Sequence, residues 1–402
     1  MSVSELSDEI EQRDLPLHGL PTVKPGAGLN MLEGIRVVDL TTSVAGPYAS
    51  MLLSDFGAEV IKVERPEGDD ARGWGPPFLD GESLWFLSVN RNKKSVVIDL
   101  GSDDGRESLN KLIASADVFL TNQPTSVQRK LGLDHESVSA LREDMIFTSI
   151  TGFGLDGERA NLTCYDLIAE GYSGVMDLTG AAGGDAQKIG APAADLLAGQ
   201  DAAMATLAAL FDRAKTGKGR RIDVSLVESM TRFLSCRIVP YLGSGEVPTR
   251  SGGTDSVIAI YQAFETADAP ITLGLGNNGI WKRFWDAVGE PEMGVREEYS
   301  SNALRRQHRP AIVEKIQSVL NTQPREYWLA LFAKSRVPAG PINKVDSVAG
   351  DKALQDRGLF YTLEDEGRLV PQVGLGIQVD GKPTTARSLP PRLGQHSDEL
   401  LR

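Results

Sequence analysis

From Gly34 onward, short β-branched and apolar runs alternate with segments of helical spacing. IRVVDL (35–40), AEVIKVE (58–64), SVVIDL (95–100), DVFLTN (117–122) and MIFTSITGFG (145–154) read as strands. Between them, AGPYASMLLSDFG (45–57) predicts a short helix and DDGRESLNKLIASA (103–116) an amphipathic one. Runs that are apolar almost throughout predict strands buried on both faces. Helical segments between such strands predict an α/β fold with a doubly wound parallel sheet. The strongest helical pattern is residues 193–219, rich in Ala, Leu and Met and closed by Gly-Lys-Gly, followed by the strand RRIDVSL (220–226).

The pattern divides the chain. Residues 1–30 are polar, end in Pro25, Gly26 and Gly28, and read as an N-terminal extension draped on the surface or disordered. Residues 31–225 form the large domain. Residues 226–344 change in texture, with aromatics, Gly252–Gly253, GLGNNG and two further helical segments, and read as a smaller α+β domain. Residues 345–402 are expected to return to the large domain.

Charge and composition narrow the chemistry. A net charge of −13 argues against non-specific binding to nucleic acid or to an anionic membrane, since both need a basic face. The two cysteines, Cys164 and Cys236, supply neither a disulfide framework nor metal-ligand spacing, so no metal is expected. The acidic N-terminus has no apolar core of a signal peptide, and no run is long enough to span a bilayer, which points to the cytoplasm. An anionic ligand would have to be met locally.

The turn after the first strand, TTSVAGPYAS, lacks the G-x-G-x-x-G fingerprint, and KTGKGRR does not have P-loop spacing, so neither a dinucleotide nor a P-loop nucleotide fits. A dispersed anion site fits better. Arg65 follows the second strand, Arg91, Lys93 and Lys94 precede the third, and Arg129 follows the fourth. If the loops converge, these cations could hold a diphosphate and a 3′-phosphate. The alternative is ordinary solvated surface charge.

The ordered set GIRVVDLTTSVAGPYASMLLSDFGAEVIKVERPEGDDARGWGPPF, SLWFLSVNRNKKSVVIDL, SITGFGLDG, YDLIAEGYSGVMDLTG, TGKGRRIDVSLVESM, RVPAGPINKV and LGQHSDELL resembles the class III CoA-transferases. These include the formyl-CoA and carnitine CoA-transferases and are related to the α-methylacyl-CoA racemases. The resemblance runs from about residue 31 to the C-terminus and implies a large Rossmann-like domain, a smaller domain, and two subunits threaded through one another in an interlocked homodimer.

It also implies an activity: coenzyme A moves from an acyl-CoA donor to a carboxylic acid, with CoA as substrate and no cofactor. The implied nucleophile is Asp195 in GAPAADLLAGQD, with Asp166 as a supporting acid and Gly252 and Gly253 in a mobile loop covering the site. A helix N-terminus is expected to hold Asp195 ionised. The small neighbours Ala193, Ala194, Ala198 and Gly199 are expected to leave room for a thioester. Read without the resemblance, Asp195 and Asp166 are helix N-caps. CoA contacts are expected from Val44, Arg65, Arg91, Lys93, Lys94, Asn122 and Arg129. Two positions depart from the family: Val44 stands where formyl-CoA transferase has glutamine, and NQP at Asn122 is one residue shorter than N-x-x-P. The alternative functions are a racemase, disfavoured because Tyr165 stands where that branch has its histidine, and a non-catalytic CoA-binding homologue. Succinyl-CoA as donor and a di- or hydroxy-acid as acceptor follow from family tendencies alone.

Overall fold

The computed structural model describes residues 15–401, which fall into two units. Among the described residues, the first unit contains six parallel strands: β1 Arg36–Leu40, β2 Glu59–Glu64, β3 Lys93–Val97, β4 Val118–Thr121, β5 Ile146–Thr151 and β6 Arg220–Ser225. Their order is β3-β2-β1-β4-β5-β6, with every neighbouring pair parallel. The direction of winding reverses between β1 and β4. Open α/β sheets bind ligands at such a switch point, outside the carboxyl ends of the strands.

Helices cover both faces. On one, α2 Asp103–Ala114 is capped by Ser102 and buries Leu109, Leu112 and Ile113. That i, i+3, i+4 stripe packs on Val38, Ile61, Val96, Phe119 and Phe147. On the other, α1 Ala45–Asp55 contributes Ser50, which donates to Asp39 of β1. After α3 Thr125–Leu131, α4 His135–Leu141 and α5 Asp166–Ser173 comes α6, Ala193–Thr216. It ends where Gly217 adopts φ 67° and returns its N–H to Arg213.

The buried stripe of α6 is small: Ala194, Ala198, Gly199, Ala202 and Ala203. At Gly199 a Cβ would lie 2.5 Å from the Ala45 carbonyl, so glycine is what lets α6 close on the first turn of α1. These small residues serve helix packing. Of the small residues expected to leave room for a thioester, Ala194, Ala198 and Gly199 are buried and Ala193 is half-buried.

The domain boundaries also shift. The first unit gathers the chain up to Val175, Ile189–Val239 and the chain from Ala349. The expected boundary at 226 falls instead after Val239. The reason is α7, Leu226–Phe233, which is capped by Ser225, buries Leu226, Val227 and Met230, and packs on α5 and α6. Residues 1–14 of the expected extension lie outside the described residues. Of the rest, Thr22–Val23 pairs in parallel with Phe360–Asp365, and Gly26 donates to the Ala386 carbonyl, so residues 15–30 are stitched to the C-terminal segment.

The second unit, Met176–Lys188 and Pro240–Val348, has a three-stranded antiparallel sheet of Tyr261–Phe264, Ile271–Gly274 and Ala339–Pro341. Its core is aromatic, with Trp281, Phe284, Trp285, Trp328 and Phe332. GLGNNG lies here after an antiparallel strand, outside any parallel βαβ unit. Gly252 and Gly253 belong to this unit and are exposed; Gly252 has φ 65° and packs near Ala181 and Ala182.

Candidate active site

The carboxyl ends of β1, β4, β5 and β6 frame a crevice of about 300 Å³. Thr42 and Ser43 enter it after β1, Asn122–Pro124 after β4, Ile150–Gly152 at the end of β5, and Leu226 after β6. Ala45 brings in the first turn of α1, whose N-terminal N–H groups precede any intrahelical acceptor. Cys164, Tyr165 and Asp195 line the same crevice.

Asp195 is the third residue of α6. Its helix has Pro192 at the N-cap with no capping side chain of its own. The cap comes from elsewhere in the chain: Asp166 Oδ1 accepts from Ala194 N at 2.8 Å and from Asp195 N at 3.4 Å. Asp166 therefore starts α5 and caps α6 at once, and the two carboxylates are brought together. Burial first, and the Asp166 charge second, push the Asp195 carboxyl up to about 7. The expectation that the helix holds Asp195 ionised is thus reversed in direction. Cys164 answers to the same surroundings: burial first, then the charges of Asp195 and Asp166, raise its thiol to about 11.

The expected anion site does not assemble. Arg91 is buried and grips Asp55 through two bonds, at 2.9 and 2.6 Å, with a third to the Val373 carbonyl. Lys93 is buried against Asp39, the Pro47 carbonyl and Asn90. Lys94 pairs with Glu59 and Glu399. All three lie at or before the start of β3, whose first residue faces Val60. In a parallel sheet that is the edge opposite the crevice, although the Lys93 ammonium reaches Asp39, whose other oxygen accepts from Thr41 N–H, and so lies buried beneath the loop after β1. Arg65 is exposed and pairs with Asp70 and Glu67. Arg129 is exposed on α3 beside a separate groove with His135 and Arg221. Val44 is buried as the N-cap of α1. Asn122 does line the crevice, but its amide is engaged with Thr42.

A buried ionic layer that the spacing did not signal lies beneath the crevice. Lys62, fully buried, donates to Asp69 Oδ2 and to the Thr41 carbonyl, each at 2.8 Å. Burial alone would raise Asp69; the Lys62 charge and the N–H groups of Ala71 and Ser43 hold it below the usual carboxylate range. Among the described residues no group of His, Cys, Asp and Glu could hold a metal, and no helix is long and apolar enough to cross a membrane.

The family model for CoA-transferase family III matches residues 32–397. A succinate–glutarate CoA-transferase of Agrobacterium fabrum is 36% identical over 378 residues, covering 92% of this chain and 94% of that protein. Human succinyl-CoA:glutarate CoA-transferase is 37% identical over 396 residues, covering 96% and 89%. The crystal structure of a CaiB/BaiF family protein from Brucella suis matches with a TM-score of 0.80 at 37% identity, covering 91% of this chain and 97% of that one. A match over nearly the whole chain, on a parallel sheet whose switch point holds an acidic crevice, means that this protein belongs to CoA-transferase family III and is an enzyme of that class.

Proposed function

We propose that the chain moves CoA from a succinyl-CoA-type donor to a second carboxylic acid through an aspartyl-CoA thioester on Asp195. The observation that carries this reading is the Asp195 carboxyl itself: it opens on the switch-point crevice and is raised to about 7 by burial and by Asp166. A carboxylate of raised pKa is a stronger nucleophile than a solvated one. Burial also disfavours its charged resting form relative to the neutral acyl forms it would pass through.

The steps balance without a further reagent. Asp195 attacks the thioester carbonyl, forming a mixed anhydride and releasing CoA thiolate. The thiolate attacks the aspartyl carbonyl, giving the aspartyl-CoA thioester and the free donor acid. The acceptor carboxylate attacks that thioester, forming a second anhydride and releasing the thiolate again. Thiolate attack on the acceptor acyl carbon then yields the new acyl-CoA and restores Asp195. Oxyanions develop at each step, and the N–H groups of Ala45 and Gly46 at the start of α1, where Ala45 lines the crevice, are proposed as their donors. Asp166 holds the Asp195 backbone and sets its charge. The names of the relatives support a dicarboxylate as acceptor.

The active form is proposed to be an interlocked homodimer. Exposed Met204 and Phe211 on α6 and Phe233 on α7 are apolar surface that a second subunit would cover. Sedimentation of the purified protein reads the assembly directly.

The chemical test is to incubate the protein with a panel of acyl-CoAs, quench with hydroxylamine, and map the product by mass spectrometry. A hydroxamate on Asp195, absent from Asp195→Ala, is the expected result. Transfer activity with no adduct at that residue overturns the aspartyl route. Solvent deuterium at the acyl α-carbon without exchange of CoA would instead reveal a racemase.

A further inference from the structure

The four-residue loop that joins β1 to α1 is gripped from both neighbouring strands. Thr41 N–H donates to Asp39 Oδ1 at 3.0 Å, and its carbonyl accepts from Lys62 Nζ. Thr42 is held twice by one side chain: its N–H donates to Asn122 Oδ1 at 3.1 Å, and its carbonyl accepts from Asn122 Nδ2 at 2.9 Å. Ser43 N–H donates to Asp69 Oδ1 at 3.1 Å, while Lys62 holds the other oxygen of Asp69. Asn122 follows β4 and Asp69 follows β2, so the strands flanking β1 each send one clamp.

The clamps hold an uncommon conformation. Ser43 has φ 71°, in the left-handed region that disfavours a residue with a Cβ. The loop leads straight into Val44 and the first turn of α1, against which Gly199 of α6 closes. Asp195 lies one helical turn before Gly199. The placement of α1 relative to Asp195 thus depends on the path of residues 41–43.

We propose that Asn122 and the Asp69–Lys62 pair are positioning residues, which fix Thr42 and Ser43 so that the N–H groups of Ala45 and Gly46 face the acyl oxygen that becomes charged when Asp195 reacts. The proposal rests on the aspartyl route above. Asn122 lines the crevice, yet its amide oxygen and nitrogen are both engaged with Thr42, so its part is to hold the loop.

The test compares Ser43→Val with Ser43→Gly. Both lose the hydroxyl and keep the N–H that Asp69 accepts, but only valine resists a positive φ. Displacing an oxyanion donor or shifting it by about 1 Å costs roughly 100-fold in rate. The expected result is a kcat for Ser43→Val about 100-fold below that of Ser43→Gly, with KM for acyl-CoA in the two variants within about threefold. Asn122→Ala should lower kcat at least about tenfold with the same KM pattern, and it carries the test if Ser43→Val does not fold. Thermal unfolding and calorimetric CoA binding report that the variants are native.

Equal kcat in the two Ser43 variants overturns the proposal. So does an Asn122→Ala enzyme with intact kcat and raised KM, which would make Asn122 a direct ligand contact. Hydroxylamine trapping of the wild type, run alongside, separates the two levels. No Asp195 adduct removes the aspartyl route and the positioning role with it, whereas an adduct together with equal kcat values removes the positioning role alone.

Discussion

Replacing Asp166 with asparagine isolates one of the two forces on Asp195. The amide oxygen of the new side chain can still accept from Ala194 N and Asp195 N, and asparagine and aspartate are nearly equivalent as caps, so α6 keeps its start. What disappears is a negative charge that contributes, after burial, to raising Asp195 from 3.8 to about 7. An opposite charge at close range lowers a carboxyl by roughly one to three pH units, and a like charge acts with the reverse sign. Because burial is the larger cause here, Asp166 accounts for the lower end of that range. The acid limb of kcat/KM for acyl-CoA in Asp166→Asn should therefore fall by roughly one pH unit. The assay is initial-rate transfer between pH 5 and 9, each enzyme normalised to its own plateau. At pH 6 the wild type would keep about a tenth of its plateau and the variant about half. A limb that stays in place, or moves upward, refutes the electrostatic role of Asp166. Asp166→Ala should show the same displacement together with a loss of about 1 kcal/mol in stability, because it also removes the cap.

Two further outcomes follow from the same geometry. Asp195 has a folded-state value above its unfolded one, so stability falls as pH rises from about 4 to 7, and Asp195→Asn should be the more stable protein at pH 8, by up to ~4 kcal/mol, with the gain gone below pH 4; a denaturant series at the two pH values checks this, and an equal gap at both refutes it. Arg91→Ala strands the buried Asp55 carboxylate and should cost about 3–5 kcal/mol while KM for acyl-CoA stays within about twofold; a large KM effect in a protein of unchanged stability would restore Arg91 to the substrate.

The sheet was legible in the sequence because its strands are buried on both faces and its helices carry regular apolar stripes; α2 and α6 fall where their spacing puts them. Asp195 stood out only through resemblance, since an aspartate at a helix start is an ordinary cap until its surroundings are known, and its catalytic role is the proposal made above. Three of the expected cations are committed to acidic partners, for a reason that spacing does not carry. Spacing places Arg91, Lys93 and Lys94 next to β3 but does not say at which end of a parallel strand a ligand approaches, or whether a charge is solvated. The structure pairs Arg91 with Asp55 and Lys94 with Glu59 away from the crevice, and buries Lys93 on Asp39 beneath it. The clamps on Thr42 and Ser43 were invisible because they join residues 80 and 26 positions apart. The shift of the boundary from 226 to beyond Val239 has a similar origin: α7 differs in texture from the strand before it, yet its buried face belongs to α5 and α6.

The net charge of −13 and an anionic substrate make a real electrostatic problem, and the ionic layer bears on its solution. Cations committed to buried carboxylates cannot also neutralise phosphates without breaking pairs that cost several kcal/mol to disrupt. Their service is indirect. Lys62, fully buried and bonded to both Asp69 and the Thr41 carbonyl, fixes the backbone that launches α1. The positive end of that helix then faces the crevice as an oriented dipole, which needs no counter-ion and does not reorganise when charge develops. A lysine free in the same crevice would pair with Asp195 and lower its pKa, weakening the nucleophile. Backbone donors held by a buried ionic layer can stabilise an oxyanion while leaving the raised carboxyl of Asp195 largely undisturbed. On the proposed aspartyl route, the commitment of Arg91 to Asp55 and of Lys93 to Asp39 keeps both charges from Asp195, which is part of what makes an aspartate nucleophile workable there.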